Sequence, residues 1–179
     1  ELKTTLSEFI KNKNIPNLIL SGGPGVGKTT AAKAMINEIG ATYMLINASE
    51  DGNIDTLRTT IKNFASTVSL EGTGRKYIIL DEADYLNPQS TQPALRGFME
   101  EFSNNCGFIL TCNYISRLIP ALQSRCSIVQ FTTLKTEKPK LAMEFLVRVK
   151  DILNKENVKF DEKVVMEVLS KYFPDWRRV

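Results

Sequence analysis

The sequence predicts an α/β fold, a parallel sheet flanked by helices, followed by a partial small helical domain. Three observations carry that expectation. Short apolar runs recur: NLIL at 17–20, TYMLIN at 42–47, KYIIL at 76–80, GFILTC at 107–112 and SIVQF at 127–131. Each has the length of a buried strand, and most are rich in β-branched or aromatic residues. Helical spacing fills the gaps, and strands alternating with helices form a parallel sheet covered on both sides. After Phe131 the strand-like runs stop and helical spacing alone continues.

In order along the chain, NLIL is the first strand and TTAAKAMINEI (29–39) the helix that follows it. TYMLIN is the second strand. Over 54–68, Ile54, Leu57, Ile61, Phe64, Ala65 and Val68 share one helical face. Glu71-Gly72-Thr73-Gly74-Arg75 reads as a loop before the third strand, KYIIL. GFILTC and SIVQF are the fourth and fifth strands. Leu141, Phe145, Val149 and Ile152 then mark a helix within 137–155. Val164, Val165, Val168 and Leu169 mark another within 161–172, behind Asp161 as its N-cap. The boundary between the two domains falls near Thr132–Thr136, giving an α/β domain over 1–133 and a helical one over 134–179.

Composition excludes several classes of function. At 179 residues with 42% hydrophobic content, the chain buries a real core and is not a disordered tail. A net charge of +3 is too weak to establish nucleic-acid binding, so the placement of the charges has to decide it. Histidine is absent, which removes any Ser-His or Cys-His mechanism. Cys106, Cys112 and Cys126 lack metal-type spacing and read as reduced thiols of a cytosolic protein. No run approaches the ~18 apolar residues of a membrane span, and no signal peptide opens the chain. The opening Glu1 and the ending KYFPDWRRV read as a piece of a longer protein.

Gly22-Gly23-Pro24-Gly25-Val26-Gly27-Lys28-Thr29 matches G-x-x-x-x-G-K-T, with a strand before it and a helix after it. Glycines let the backbone fold tightly, so that its N–H groups face phosphate oxygens. Lys28 reaches the outer phosphates, Thr29 offers a hydroxyl to Mg²⁺, and Thr30 completes the stretch. The expected ligands are therefore ATP and Mg²⁺. KYIILDEAD ends a buried strand with Asp81 and Glu82. Asp81 would hold Mg²⁺ through water, and Glu82 would polarise the attacking water. An acidic pair at a strand end also suits a solvated loop or a helix cap; the phosphate motif is what favours the chemical reading. Asn113, at the end of GFILTCN, is placed to reach the γ-phosphate or position the water, although such an Asn is more commonly a turn residue.

IPALQSRCSI (119–128) brings in a resemblance. The sequence resembles the AAA+ clamp-loader ATPases, which include replication factor C small subunits and the large subunit of T-even-type phage clamp loaders. NYISRLIPALQSRC (113–126) is similar to that family's sensor-1-to-SRC segment, with Ser124-Arg125-Cys126 as the SRC motif. IPNLILSGGPGVGKTT, IDTLRTTIKNFAS (54–66), ALRGFMEEFSNNCGFILTCN (94–113) and FPDWRR (173–178) extend the likeness over nearly the whole chain. FPDWRR and FMEEFSNNC lean towards the phage variant.

The resemblance implies an AAA+ P-loop NTPase fold with a partial lid domain. It implies a Mg²⁺-dependent, DNA-stimulated ATP hydrolase that opens a sliding clamp and loads it on primer–template DNA. Arg125 would act in trans on ATP held by a neighbouring subunit of a hetero-pentamer, although an arginine there also suits a local ion pair. Arg177 is similar to the sensor-2 arginine, with Asp175 capping its helix and Arg178 the second candidate. Arg58 and Lys62, one turn apart on the exposed face of the 54–66 helix, would follow the DNA backbone. The setting would be the cytoplasm, host cytoplasm for a phage protein, or the nucleus of a eukaryote, with no membrane. Two family features have no counterpart here: the adenine-packing segment before the first helix and the C-terminal collar.

Other readings make different demands. DEAD at 81–84 raises a DNA helicase, but helicases of that type carry two lobes and further motifs. A ring motor of the helicase or branch-migration type needs pore-loop insertions between its strands, which the sequence lacks. A scaffold subunit that had lost catalysis predicts damage at Lys28, Thr29, Asp81 or Glu82, and all four are intact.

Overall fold

The computed structural model describes residues 2–50, 52–67, 74–132 and 138–178. They fall into two compact units, Glu1–Gly22 with Gly27–Phe131, and Gly23–Val26 with Thr132–Val179. Val68 and residues 71–73 of the expected loop lie outside the described residues, as does most of the 132–136 boundary.

The first unit contains the sheet. Strands β1 (Leu18–Ser21), β2 (Tyr43–Asn47), β3 (Lys76–Asp81), β4 (Cys106–Cys112) and β5 (Ser127–Gln130) lie in the order β2-β3-β4-β1-β5. Every neighbouring pair is parallel. β1 and β4 are buried along their whole length, as a strand covered on both faces must be. The side chains of β1, β3 and β4 alternate between two cores. Ile19, Ile78, Leu80, Phe108 and Leu110 enter one; Leu18, Leu20, Tyr77, Ile79 and Ile109 enter the other.

Helices close both faces. On the first core lie α3 (Ile54–Ser66), through Leu57, Ile61 and Ala65, and α4 (Thr91–Glu101), through Leu95, Phe98 and Met99. The four-residue α5 (Pro120–Gln123) adds Leu122. On the other core lie α1 (Leu2–Lys11), through Leu6, Phe9 and Ile10, and α2 (Lys28–Glu38), through Ala32, Met35 and Ile36. Asn53 caps α3 by accepting from the Asp55 amide at 3.0 Å. The Tyr77 hydroxyl accepts from the Ile15 amide at 3.2 Å, which satisfies the polar end of a fully buried ring.

In the second unit, α6 (Lys138–Lys155) and α7 (Glu162–Tyr172) pack through buried Leu146 and Leu169. Asp161 caps α7, its carboxylate accepting from the Lys163 amide at 2.8 Å. Trp176 packs at a tilt against Phe145 and edge-to-face against Phe173, with ring centroids 4.1 and 4.9 Å away. The two apolar patterns do form helices, α6 and α7, but Ile152 and Val164 stay more than half exposed, because a two-helix pair buries only one stripe of each helix.

Candidate nucleotide-binding site

The strand order places the site. From β1 the chain crosses to β2 at the far edge and returns through β3 and β4, while β5 lies on the other side of β1. Ligands of open parallel sheets bind outside the carboxyl ends of the strands at such a reversal. The register levels those ends, with Ser21 opposite Cys112 and Leu80 opposite Leu110. Asn47 pairs with Asp81 on the other side of β3. The Gly22 amide continues the ladder to the Cys112 carbonyl at 3.2 Å.

In the first unit, Gly27 stands at the N-cap of α2 with φ 89°, a left-handed conformation that glycine adopts without a Cβ penalty. No side chain caps this helix end. Its leading amides and the positive end of its dipole suit an anion. Lys28 is buried, and its Nζ donates to the Gly22 carbonyl and to Asn113 Oδ1, each at 2.9 Å. Asn113 thus meets the lysine at the head of the glycine loop, 85 residues away in sequence. Thr30 is exposed.

Asp81, at the end of β3, accepts the Thr29 hydroxyl at 2.6 Å. The two offer hard oxygen donors side by side. Among the described residues no group of three His, Cys, Asp or Glu side chains is arranged for a metal. One carboxylate and one hydroxyl suit Mg²⁺, which keeps waters and phosphate oxygens as its remaining ligands. Glu82 follows in a left-handed conformation, φ 56° and ψ 41°.

Four residues that the motifs did not single out support this arrangement. Thr111 is buried between Asp81 and the Glu82 amide. Asp84, the last letter of DEAD, is buried and accepts from the Asn113 and Tyr114 amides at 3.3 and 3.2 Å. Gln92 on α4 is fully buried; its amide nitrogen donates to the Leu86 and Arg117 carbonyls, and its oxygen accepts from the Ile119 amide. A polar residue on the buried face of an otherwise apolar helix was the available signal for Gln92. Glu100, on the exposed side of α4, accepts from Arg125 Nε at 2.9 Å and forms an ion pair with its Nη2.

The remaining candidates lie further away. Arg125 also donates to the Ala121 carbonyl at 3.1 Å, so its guanidinium is held by its own chain. The hydrogen bond from Arg125 is the main force holding the Glu100 carboxyl below its ordinary value. Arg58 and Lys62 are exposed on α3, flanking the stripe of buried Leu57, Ile61 and Ala65. In the second unit, the Trp176 amide donates to the Gly25 carbonyl at 3.2 Å. Gly25 has φ +69°, and a Cβ there would lie 1.7 Å from Asp175 Oδ1. Asp175 accepts from the Arg177 amide at 3.1 Å in N-cap fashion, but residues 173–178 form turns and no helix follows among the described residues. Arg177 and Arg178 are exposed.

Comparison with known proteins agrees with this architecture. The model of the family "ATPase family associated with various cellular activities (AAA)" matches residues 18–134, and the chain belongs to that family. The replication factor C small subunit of Methanococcus maripaludis is 41% identical over 167 residues, covering 90% of this chain and 51% of that protein. The corresponding protein of Methanosarcina barkeri is 44% identical over 149 residues, 80% of this chain and 44% of its own length. The sliding-clamp-loader large subunit of Escherichia phage RB69 is 42% identical over 178 residues, 97% of this chain and 55% of its own length. The chain therefore spans about half the length of the curated relatives it matches. Among solved structures, the Thermotoga maritima RuvB Holliday junction branch migration motor superposes with a TM-score of 0.75 at 16% identity, over 99% of this chain and 56% of that one. At that identity the likeness is one of fold.

Proposed function

We propose that this chain is the nucleotide-binding part of an ATPase subunit of a sliding-clamp loader, with residues 1–133 as the ATPase domain and 134–179 as part of its lid. The observation that carries the proposal is the meeting of Lys28, Thr29, Asp81 and Asn113 at the carboxyl ends of β1, β3 and β4. It occurs in a chain 41% identical to a replication factor C small subunit.

ATP is the substrate, bound with its phosphates on the glycine loop and the α2 N-terminus. Lys28 neutralises the outer phosphates. Thr29 and Asp81 hold Mg²⁺, which neutralises phosphate charge when bound. Glu82 orients and polarises the attacking water, and Asn113 fixes Lys28 and faces the γ-phosphate. The reaction is phosphoryl transfer to water, driven by positioning and charge stabilisation. Arg125 serves the neighbouring subunit's ATP, exchanging Glu100 for phosphate as its anionic partner. Its guanidinium stays charged at neutral pH, so that exchange needs no proton transfer. Arg177 is the lid's arginine towards nucleotide. Arg58 and Lys62 follow the backbone of primer–template DNA, which gives salt-dependent binding without base readout. The other partners are the clamp and the remaining subunits of a pentamer.

The RuvB-like fold is shared by ring motors, so DNA and clamp dependence must separate the two readings. The experiment is ATP hydrolysis by the full-length parent assembled with its partner subunits, with and without primed DNA and clamp. Strong stimulation is expected, and Arg125→Ala should lower the stimulated rate by about 10³-fold or more while leaving ATP binding intact. A rate indifferent to DNA, clamp and Arg125 overturns the clamp-loader reading.

A further inference from the structure

We infer that Thr111 is a positioning residue for both acidic groups of the site, setting the Asp81 carboxylate and the Glu82 backbone through one buried hydroxyl. The inference rests on the ATP-hydrolysis reading above and deepens it. Thr111 lies on β4 at 1% exposure, and the pairing of Leu80 with Leu110 brings it beside Asp81. A hydroxyl has one proton to donate and lone pairs to accept. Thr111 uses both, donating to Asp81 Oδ1 at 2.5 Å and accepting from the Glu82 amide at 3.1 Å.

The two bonds do different work. Asp81 Oδ1 already receives the Thr29 hydroxyl at 2.6 Å, so hydroxyls from α2 and β4 converge on one carboxylate oxygen and set its plane. When Thr29 turns to a cation, Thr111 is the hydroxyl left holding Asp81. Glu82 is one of three non-glycine residues with positive φ in the described chain, at 56°. A left-handed residue bearing a Cβ persists only where its surroundings impose it. The bond from its amide to Thr111 is such a constraint, and it aims the Glu82 side chain from the strand end. Valine has nearly the volume of threonine but no hydroxyl. Thr111→Val therefore strands the Glu82 amide and frees the Asp81 carboxylate without opening a cavity.

The test compares wild type, Thr111→Val and Thr111→Ser in the full-length parent assembled with its partner subunits. It follows kcat, the Kd of a fluorescent ATP analogue, the Mg²⁺ concentration that half-saturates binding of that analogue, and the melting temperature. Removing a hydrogen bond that orients a metal-holding carboxylate typically costs about 10–100-fold, and that loss is expected in kcat for Thr111→Val. The Mg²⁺ midpoint should rise several-fold, with the melting temperature and the Kd at saturating Mg²⁺ held. Thr111→Ser should recover most of both losses. A Thr111→Val protein with wild-type kcat and Mg²⁺ midpoint overturns the inference. So does a Thr111→Ser protein as impaired as Thr111→Val, or a loss of melting temperature that accounts for both changes. If Thr111→Val does not assemble, Thr111→Ala against Thr111→Ser makes the same contrast. A wild type that binds the analogue but never hydrolyses ATP refutes the functional reading instead, and the Mg²⁺ midpoint still decides the role of Thr111 at Asp81.

Discussion

In the first unit Tyr77, Phe108, Leu57 and Ile61 are all but inaccessible, and apolar strands meet helices on both sheet faces. In the second, Leu146 and Leu169 are buried, while Met143, Val147, Val164 and Met166 are each more than half exposed. Both regions carry apolar residues at helical spacing. The difference is the partner surface within each unit: a sheet offers a broad face to each helix, whereas a helix pair offers one narrow stripe. Periodicity therefore announces a helix equally well in both places and announces burial in only one.

Substitution is the sharpest way to break that comparison. Phe108→Ala should destabilise the first unit by about 3–5 kcal/mol, because the ring is fully enclosed. Val164→Ala, on an exposed helix face, should stay within about 0.5 kcal/mol. Urea unfolding of each variant checks the pair, and equal costs would erase the distinction.

Reactivity gives a second view. Cys106, Cys112 and Cys126 all belong to the first unit, and burial pushes the Cys106 and Cys126 thiols up to about 12 from 9.0. Burial raises Cys112 as well. Thiolate is the reactive form, so native alkylation of Cys106 and Cys126 near pH 8 should run roughly a thousandfold slower than after unfolding. Trp176, the single tryptophan, reports the second unit. Coincident thiol exposure and fluorescence change on heating would mean that the two units unfold together.

Smaller effects refine the picture. At Gly25 a side chain meets Asp175 and the backbone is left-handed. Gly25→Ala should cost the second unit about 1–3 kcal/mol and shift the Trp176 emission, with the first unit's thiols still protected. The smallest expectation concerns Glu100. Its carboxyl is held low in the folded state by the Arg125 hydrogen bond, so the tether is present above the ordinary value of 4.5. It is lost as pH falls through the lowered folded value. The stability difference between wild type and Glu100→Gln should be flat near neutrality and vanish in acid. A difference that grows on acidification reverses the sign and removes the tether.

Much of the candidate site was legible because its motifs are local. The glycine loop, Lys28 and Thr29 are adjacent in sequence, and Asp81 and Glu82 end a strand that its own apolar run announces. Asn113 was legible only as a polar residue after a strand, since its partner Lys28 is remote. For Arg125 the sequence leaves two partners open, a neighbouring subunit's ATP, which the resemblance implies, and a local ion pair. Within the chain its guanidinium rests on Glu100, a residue of another helix that no spacing rule connects to it. Neither α1 nor α4 is among the helices that spacing predicts, although Leu6, Phe9 and Ile10 have the right spacing and part of α4 lies in a stretch that resembles the family.

By itself the sequence determined the five strands, the helices α2, α3, α6 and α7, the Asp161 cap and the glycine loop between β1 and α2. These follow from hydrophobic period, capping and glycine conformation within a few residues, and such forces act on any chain that carries the pattern. The tertiary structure alone decided that β4 lies between β3 and β1, and so which polar residues meet. That order puts Asn113 on Lys28 and Thr111 on Asp81. Tertiary packing alone also groups Gly23–Val26 with the second unit, where the Gly25 carbonyl accepts from the Trp176 amide. Strand order comes from how whole helices share two sheet faces, a long-range balance that no local pattern of residues records.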